Sequence, residues 1–144
     1  MKKDAHVDEP DFTLIIIDID HFKRINDRRG HDAGDRVLRS VAAIIGKGMR
    51  ASDFLGRWGG EEFIVILPGT RKEFAIALAE KIRLMIYAAV FEPSNPLSVT
   101  ASFGVSDKLA DEDFATTFKR ADKALYEAKA QARNCCVIAD DTFV

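Results

Sequence analysis

The order of apolar and polar positions divides the chain into eight segments. Phe12–Asp18 (FTLIIID) is a β-branched apolar run without alternation, the mark of a strand covered on both faces. From Gly34 to about Lys47 the period changes, and Val37, Leu38, Val41, Ile44 and Ile45 recur at helical spacing. Asp53–Arg57 and Glu62–Leu67 are short strand-like runs on either side of Trp58-Gly59-Gly60-Glu61. Two glycines tolerate the positive φ angles of a tight turn, which predicts an antiparallel hairpin. Thr70 and Glu73 have the spacing of a capping box, and the helix they open is expected to run to about Ala89. Phe74, Leu78, Ile82 and Met85 form its expected core stripe. Pro93 and Pro96 bracket a loop before an expected strand at Ser98–Ser102. A further helix begins near Asp111–Asp113; its Phe114, Phe118, Ala121, Leu125 and Ala128 step by four, three, four and three. Cys135–Ala139 reads as a last short strand.

The order strand, helix, strand, strand, helix, strand, helix, strand predicts an α+β sandwich. Its sheet is mostly antiparallel, of about five strands, with helices packed on it. The chain of 144 residues accommodates one domain, expected over 12–140, with a polar head at 1–11 and a tail at 141–144.

Composition narrows the function by exclusion. A net charge of −2 argues against a nucleic-acid polymer or a membrane surface as partner, so phosphate recognition has to be local. No apolar run approaches bilayer length, and the head lacks the apolar stretch of a signal peptide. A cytoplasmic protein is expected, either by itself or as the cytosolic part of a larger one. Cys135 and Cys136, adjacent in a strand, face opposite ways and are read as reduced and structural.

Four acids then stand out. Asp18 and Asp20 end the first strand two residues apart, on one expected face, and Glu61 and Glu62 sit on the hairpin turn. If the strand and the hairpin are neighbours, the acids converge. Two carboxylates about 4 Å apart repel by roughly 4 kcal/mol at an effective dielectric near 20. Such a cluster calls for a proton or a cation, and Mg²⁺ (or Mn²⁺ in its place) suits oxygen ligands with substrate phosphates completing the shell. Either pair alone would pass for solvated turn acids; together they point to a metal. Past the strand, HFKRIND and GHDAGD gather Lys, Asn, His and Asp. That stretch suits a phosphorylated ligand, although the same residues are also common caps and turns.

IDIDHFKRIND, GHDAGD, RWGGEEF, SFGV and ADKALYEAK…RN closely resemble the catalytic domain of GGDEF diguanylate cyclases, over roughly Phe12 to Ala139. The resemblance implies a palm-like antiparallel sheet under helices, similar to adenylyl cyclase and polymerase palms. It also implies condensation of two GTP into cyclic di-GMP with loss of two pyrophosphates. By motif position Asp18, the Ile19 carbonyl and Glu61 would hold Mg²⁺. Glu61, with Glu62, would help deprotonate the ribose 3′-hydroxyl, and Lys23 would stabilise phosphate charge. Asn26 and Asp35 would recognise guanine, with His31 lining the pocket, while Gly59 and Gly60 let the nucleotide approach the turn. Lys129 and Arg133, four apart on one expected helical face, would contact the terminal phosphates. Arg50 and Asp53 match the family's inhibitory product site; Lys81 and Arg83 are expected mainly on a solvated face.

Since each domain would hold one GTP, catalysis implies a homodimer. The family's usual Asp-x-Leu-Thr-Gly-Leu-x-Asn-Arg segment is not found in Met1–Asp11: either the chain is a piece of a longer protein or that helix is missing. The alternative function is a catalytically silent module that senses cyclic di-GMP or GTP. The presence of every signature acid favours the enzyme.

Overall fold

The computed structural model of the chain describes residues 10–140. The expected tail at 141–144 lies outside the described residues, as does the expected head apart from Pro10 and Asp11. Five strands form one sheet: β1 Phe12–Ile19, β2 Phe54–Trp58, β3 Glu62–Pro68, β4 Ala101–Asp107 and β5 Cys136–Ile138. Their order across the sheet is β2-β3-β1-β4-β5. Every pairing is antiparallel except β4 with β5. The helices are α1 Phe22–Arg29, α2 His31–Lys47, α3 Lys72–Ala88 and α4 Phe114–Ala130. This is the α+β, mostly antiparallel architecture expected from the sequence.

The unbroken apolar run of β1 follows from its central position. Ile15, Ile17 and Ile19 join a core built with α1, α2 and α3, through Val37, Val41, Ile45, Ala79, Ile82 and Ile86. Leu14 and Ile16 point to the opposite face, where Ala121 and Leu125 of α4 cover them with Ile64 of β3. Position 18 shares that second face, which places an acid under the last turn of α4.

Gly104 permits the close approach of α4. A Cβ there would lie 2.2 Å from the Ala121 carbonyl oxygen and 2.5 Å from the Leu125 nitrogen. A glycine weakens a strand when read from sequence, and the expected strand at Ser98–Ser102 stops short of it. The actual strand runs through it to Asp107, because β4 pairs along β1 from Thr13↔Asp107 to Ile19↔Ala101.

Three further expectations are corrected. The stretch after β1 is two helices, divided at Gly30 with φ 90°. Only Phe22 and Ile25 are buried in the first, too few to show a period. Helix α3 buries Ala75, Ala79, Ile82 and Ile86, while Phe74 is 71% exposed. Of the expected stripe Ile82 is buried, Leu78 and Met85 are half-buried, and only Phe74 turns out to solvent, because the small Ala75 and Ala79 take the places nearest the sheet. Nor is there a capping box. Arg71 is the N-cap of α3 without a side-chain bond, and the Thr70 hydroxyl donates to the Pro68 carbonyl at 3.0 Å.

Helix α4 begins on a true cap, the Asp113 carboxylate accepting from the Thr116 N–H at 2.9 Å. Its first stripe residue, Phe114, is 44% exposed and belongs to an aromatic cluster with Phe12 and Phe118, where Phe118 also meets Trp58. Cys135 and Cys136 are free thiols.

Candidate active site

The register of β1 on β3 places Asp18 directly opposite Glu62. The Ile19 N–H donates to the Glu61 carbonyl at 3.3 Å, joining the strand end to the hairpin turn. Asp18, Ile19 and Glu61, expected to hold the metal, thus occupy one end of the sheet. Gly59 adopts φ 75°, which favours glycine; Gly60 does not need a positive φ, and a Cβ at either position would meet open space. Arg57 braces the turn by donating twice to the Gly60 carbonyl, at 3.1 and 2.8 Å.

Like charges directly across a strand pair oppose one another. Burial, the first cause, together with the charges of Asp18, Asp122 and Glu61 pushes the half-buried Glu62 carboxyl up to about 6, against relief from Lys129. Lys129 forms an ion pair with Asp18 whose carboxylate side is almost fully buried. Burial still outweighs that lysine, and Asp18 too is held above the ordinary carboxylate range. Lys129 therefore supplies part of the neutralisation for which the sequence calls on a proton or a cation such as Mg²⁺. Among the described residues no three His, Cys, Asp or Glu side chains form a metal cluster. Two carboxylates and a carbonyl nevertheless fit Mg²⁺, which takes most of its six ligands from water and substrate phosphates.

Asp20 acts on Asp18 through its charge, as the convergence of the acids implies, but its hydrogen bonds go elsewhere. The chain leaves β1 after Ile19 and turns at His21, whose φ is 55°. Asp20 is buried and accepts from Thr100 Oγ1 at 2.7 Å, Ser102 Oγ at 2.7 Å and the Asn134 N–H at 3.0 Å.

Lys23 on α1 is exposed and pairs with Asp27 at 3.3 Å. Asn26 packs on Gly34 of α2, where a Cβ would lie 1.8 Å from Asn26 Oδ1. That oxygen is buried with no hydrogen-bond partner, as a group awaiting a ligand would be. His31 is exposed as the first residue of α2. Asp35 opens onto a cleft of about 470 Å³ between α2 and the hairpin, lined also by Leu38, Arg39, Leu55, Arg57 and Phe63.

Arg50 and Asp53 form a forked pair at the far end of the hairpin, with contacts of 2.8 to 3.2 Å. Burial pushes the Asp53 carboxyl up, but hydrogen bonds and charge from Arg50 prevail and hold it below the usual range. Arg50 also donates to Thr70 Oγ1 at 2.8 Å. Beside the pair is a cavity of about 420 Å³ lined by Arg71, Phe74 and Leu78. Arg71 and Phe74 were not singled out for this site in the sequence; only the return of the hairpin brings residues 18 to 24 positions away into it. Arg83 is not on a solvated face: its side chain is 16% exposed and binds Glu80 and Asn134.

Lys129 and Arg133 do not share a helical face. Helix α4 ends at Ala130, and Ala132, Arg133 and Asn134 follow with φ of 78°, 65° and 49°. The Arg133 N–H bonds back to the Ala128 carbonyl at 3.0 Å, a Schellman-type termination.

Comparison with known proteins places this geometry. Residues 1–135 match the family described as "Diguanylate cyclase, GGDEF domain". The diguanylate cyclase DgcP of Pseudomonas aeruginosa is 45% identical over 135 residues, 93% of this chain and 20% of DgcP. The solved active GGEEF domain of a diguanylate cyclase from Vibrio cholerae is 40% identical, with a TM-score of 0.87 over 97% of this chain and 89% of that one. The GGDEF domain of DgcB from Caulobacter crescentus, solved with c-di-GMP, is 34% identical, with a TM-score of 0.84 over 88% and 77% of the two chains. The chain spans 20% to 30% of the length of the curated relatives it matches.

Proposed function

The chain belongs to the GGDEF diguanylate cyclase family, and from that premise we propose that it condenses two GTP into cyclic di-GMP, releasing two pyrophosphates. The observation that carries this is the strand-end patch in which Asp18 faces Glu62, with Glu61 on the adjoining turn and Lys129 closing from α4.

Asp18, the Ile19 carbonyl and Glu61 would hold Mg²⁺ or Mn²⁺. When bound, that ion neutralises phosphate charge and helps align the in-line displacement. Glu61 and Glu62 take the proton of the attacking ribose 3′-hydroxyl; a glutamate pushed up to about 6 is suited to a base near neutral pH. The oxygen then bonds to the α-phosphorus of the second GTP as pyrophosphate leaves. Lys23, Lys129 and Arg133 offset the charge of the phosphate chain. Guanine enters beside α2, where Asp35 accepts from its N1–H and N2–H₂ edge and the unpartnered Asn26 oxygen accepts a further donor. Adenine lacks those donors, which selects GTP. Exposed His31 lines the same mouth, and the bare surface over Gly59 and Gly60 gives the nucleotide room.

One domain carries one such site, so two copies meet face to face for two condensations. Arg50 and Asp53, with the adjoining cavity, form the inhibitory site for the product. No helix among the described residues is long and apolar enough to cross a membrane.

The test is product formation. Purified chain with GTP and Mg²⁺ yields cyclic di-GMP at a rate rising with more than the first power of protein concentration, and Glu61→Gln abolishes it. A wild-type protein inert at high concentration would overturn the reading.

A further inference from the structure

Asp20 is a buried acid with no part in the proposed chemistry. Its carboxylate joins three segments. It follows the strand that carries Asp18, its Oδ1 and Oδ2 accept from Ser102 and Thr100 of the β4 region, and Oδ2 also accepts the Asn134 N–H. Ser102 Oγ accepts from that same N–H at 3.2 Å.

The turn held in this way is strained. Ala132, Arg133 and Asn134 are successive left-handed residues, none of them glycine. Such backbone persists where its surroundings over-determine it. Here Ala128 O holds the Arg133 N–H, Arg83 holds the Asn134 side chain at 2.9 Å, and Asp20 with Ser102 holds the Asn134 N–H. Arg133, in the middle, has its backbone fixed on both sides while its side chain is exposed.

We propose that Asp20 is a positioning residue for the triphosphate end of the site. Neither metal ligand nor base, it fixes the 132–134 turn against the end of β1, setting where Arg133 meets the phosphates relative to Asp18 and Ile19. This rests on the cyclase reading and deepens it.

The experiment measures binding of a non-hydrolysable GTP and of GMP by calorimetry, with kcat, KM and thermal melts. The proteins are wild type, Asp20→Ala, Asp20→Asn, Arg133→Ala and the Asp20→Ala/Arg133→Ala double variant. Asp20→Ala and Arg133→Ala are each expected to weaken the GTP analogue about tenfold, the scale of one charge-assisted hydrogen bond, leaving GMP binding nearly unchanged. The double variant is expected to lose little beyond either single one. Asp20→Asn keeps an oxygen for the Asn134 N–H and an amide that donates to a hydroxyl, so it is expected to recover most of the affinity. Should Asp20→Ala not fold, Ser102→Ala, which removes one of the turn's two side-chain acceptors, takes its place in the cycle.

Equal weakening of GMP and GTP, or additive losses in the double variant, would overturn the role. So would a lowered melting point with unchanged GTP affinity. A wild-type protein that neither binds the analogue nor forms product would instead sink the cyclase reading beneath it.

Discussion

Replacing Glu62 by Gln removes one of two acids that face each other across β1 and β3. A rise from 4.5 to about 6 corresponds to about 2 kcal/mol, at about 1.4 kcal/mol per pH unit. Glu62 is only half-buried, and solvent screening reduces this to about 1 kcal/mol. The sign follows from linkage. The folded protein holds this proton more tightly than the unfolded chain, so the carboxyl's contribution is full below about pH 4.5 and lost as pH rises through about 6. Without nucleotide and with a chelator present, Glu62→Gln should match wild type near pH 4 and exceed it by about 1 kcal/mol at pH 8. Urea denaturation at a series of pH values reads the difference, with equal m-values confirming that the unfolded states match. A variant less stable than wild type at pH 8, or a gap constant from pH 4 to 8, would refute the idea that burial and the neighbouring acids penalise the Glu62 charge.

Gly104→Ala forces a methyl against backbone atoms of Ala121 and Leu125 that cannot swing aside. The expected cost is about 3 kcal/mol, a fall of roughly 10 °C in Tm at this chain length. Calorimetry checks it, and a Tm within about 2 °C of wild type, well under 1 kcal/mol, would contradict the close packing of α4 on β4. Asp53→Asn breaks the charged fork with Arg50 and should raise the cyclic di-GMP concentration needed for half-inhibition by about tenfold. Initial rates against added product test this, and unchanged inhibition would remove Arg50 and Asp53 from the product site.

The sequence was most legible where a single physical cause sets the pattern. A strand with neighbours on both sides and helices on both faces has to be apolar along its middle, and β1 is, from Leu14 to Ile17. The hairpin was marked by its glycines, and the convergence of Asp18 with Glu62 followed once the two strands were taken as neighbours. Patterns with two causes were harder to read. Helix α3 has a bulky stripe and a small-residue stripe, and burial chose the alanines because the sheet lies close. Gly104 looks like a strand end yet is where α4 comes too close for a Cβ. The ion pair between Lys129 and Asp18 spans 111 residues, and no local spacing announces it. Arg133 reads as helical because the sequence holds no glycine to stop α4; the stop is the Arg133 N–H bond to the Ala128 carbonyl, in a turn that Asp20 also grips from 114 residues earlier. Asp20 itself looked like a ligand because strand alternation was carried one step beyond the end of β1.

These long spans have a consequence for the life of the chain. Asn26, Asp35, the acidic turn and the first strand leave the ribosome before Lys129 and the turn closed by Asn134. A nascent or proteolytically clipped polypeptide ending before them has Asp18 without its lysine and Asp20 without its amide. On the proposed reading such a fragment keeps both acidic strand ends yet makes no cyclic di-GMP, because the contacts that complete them lie on the other side of the break.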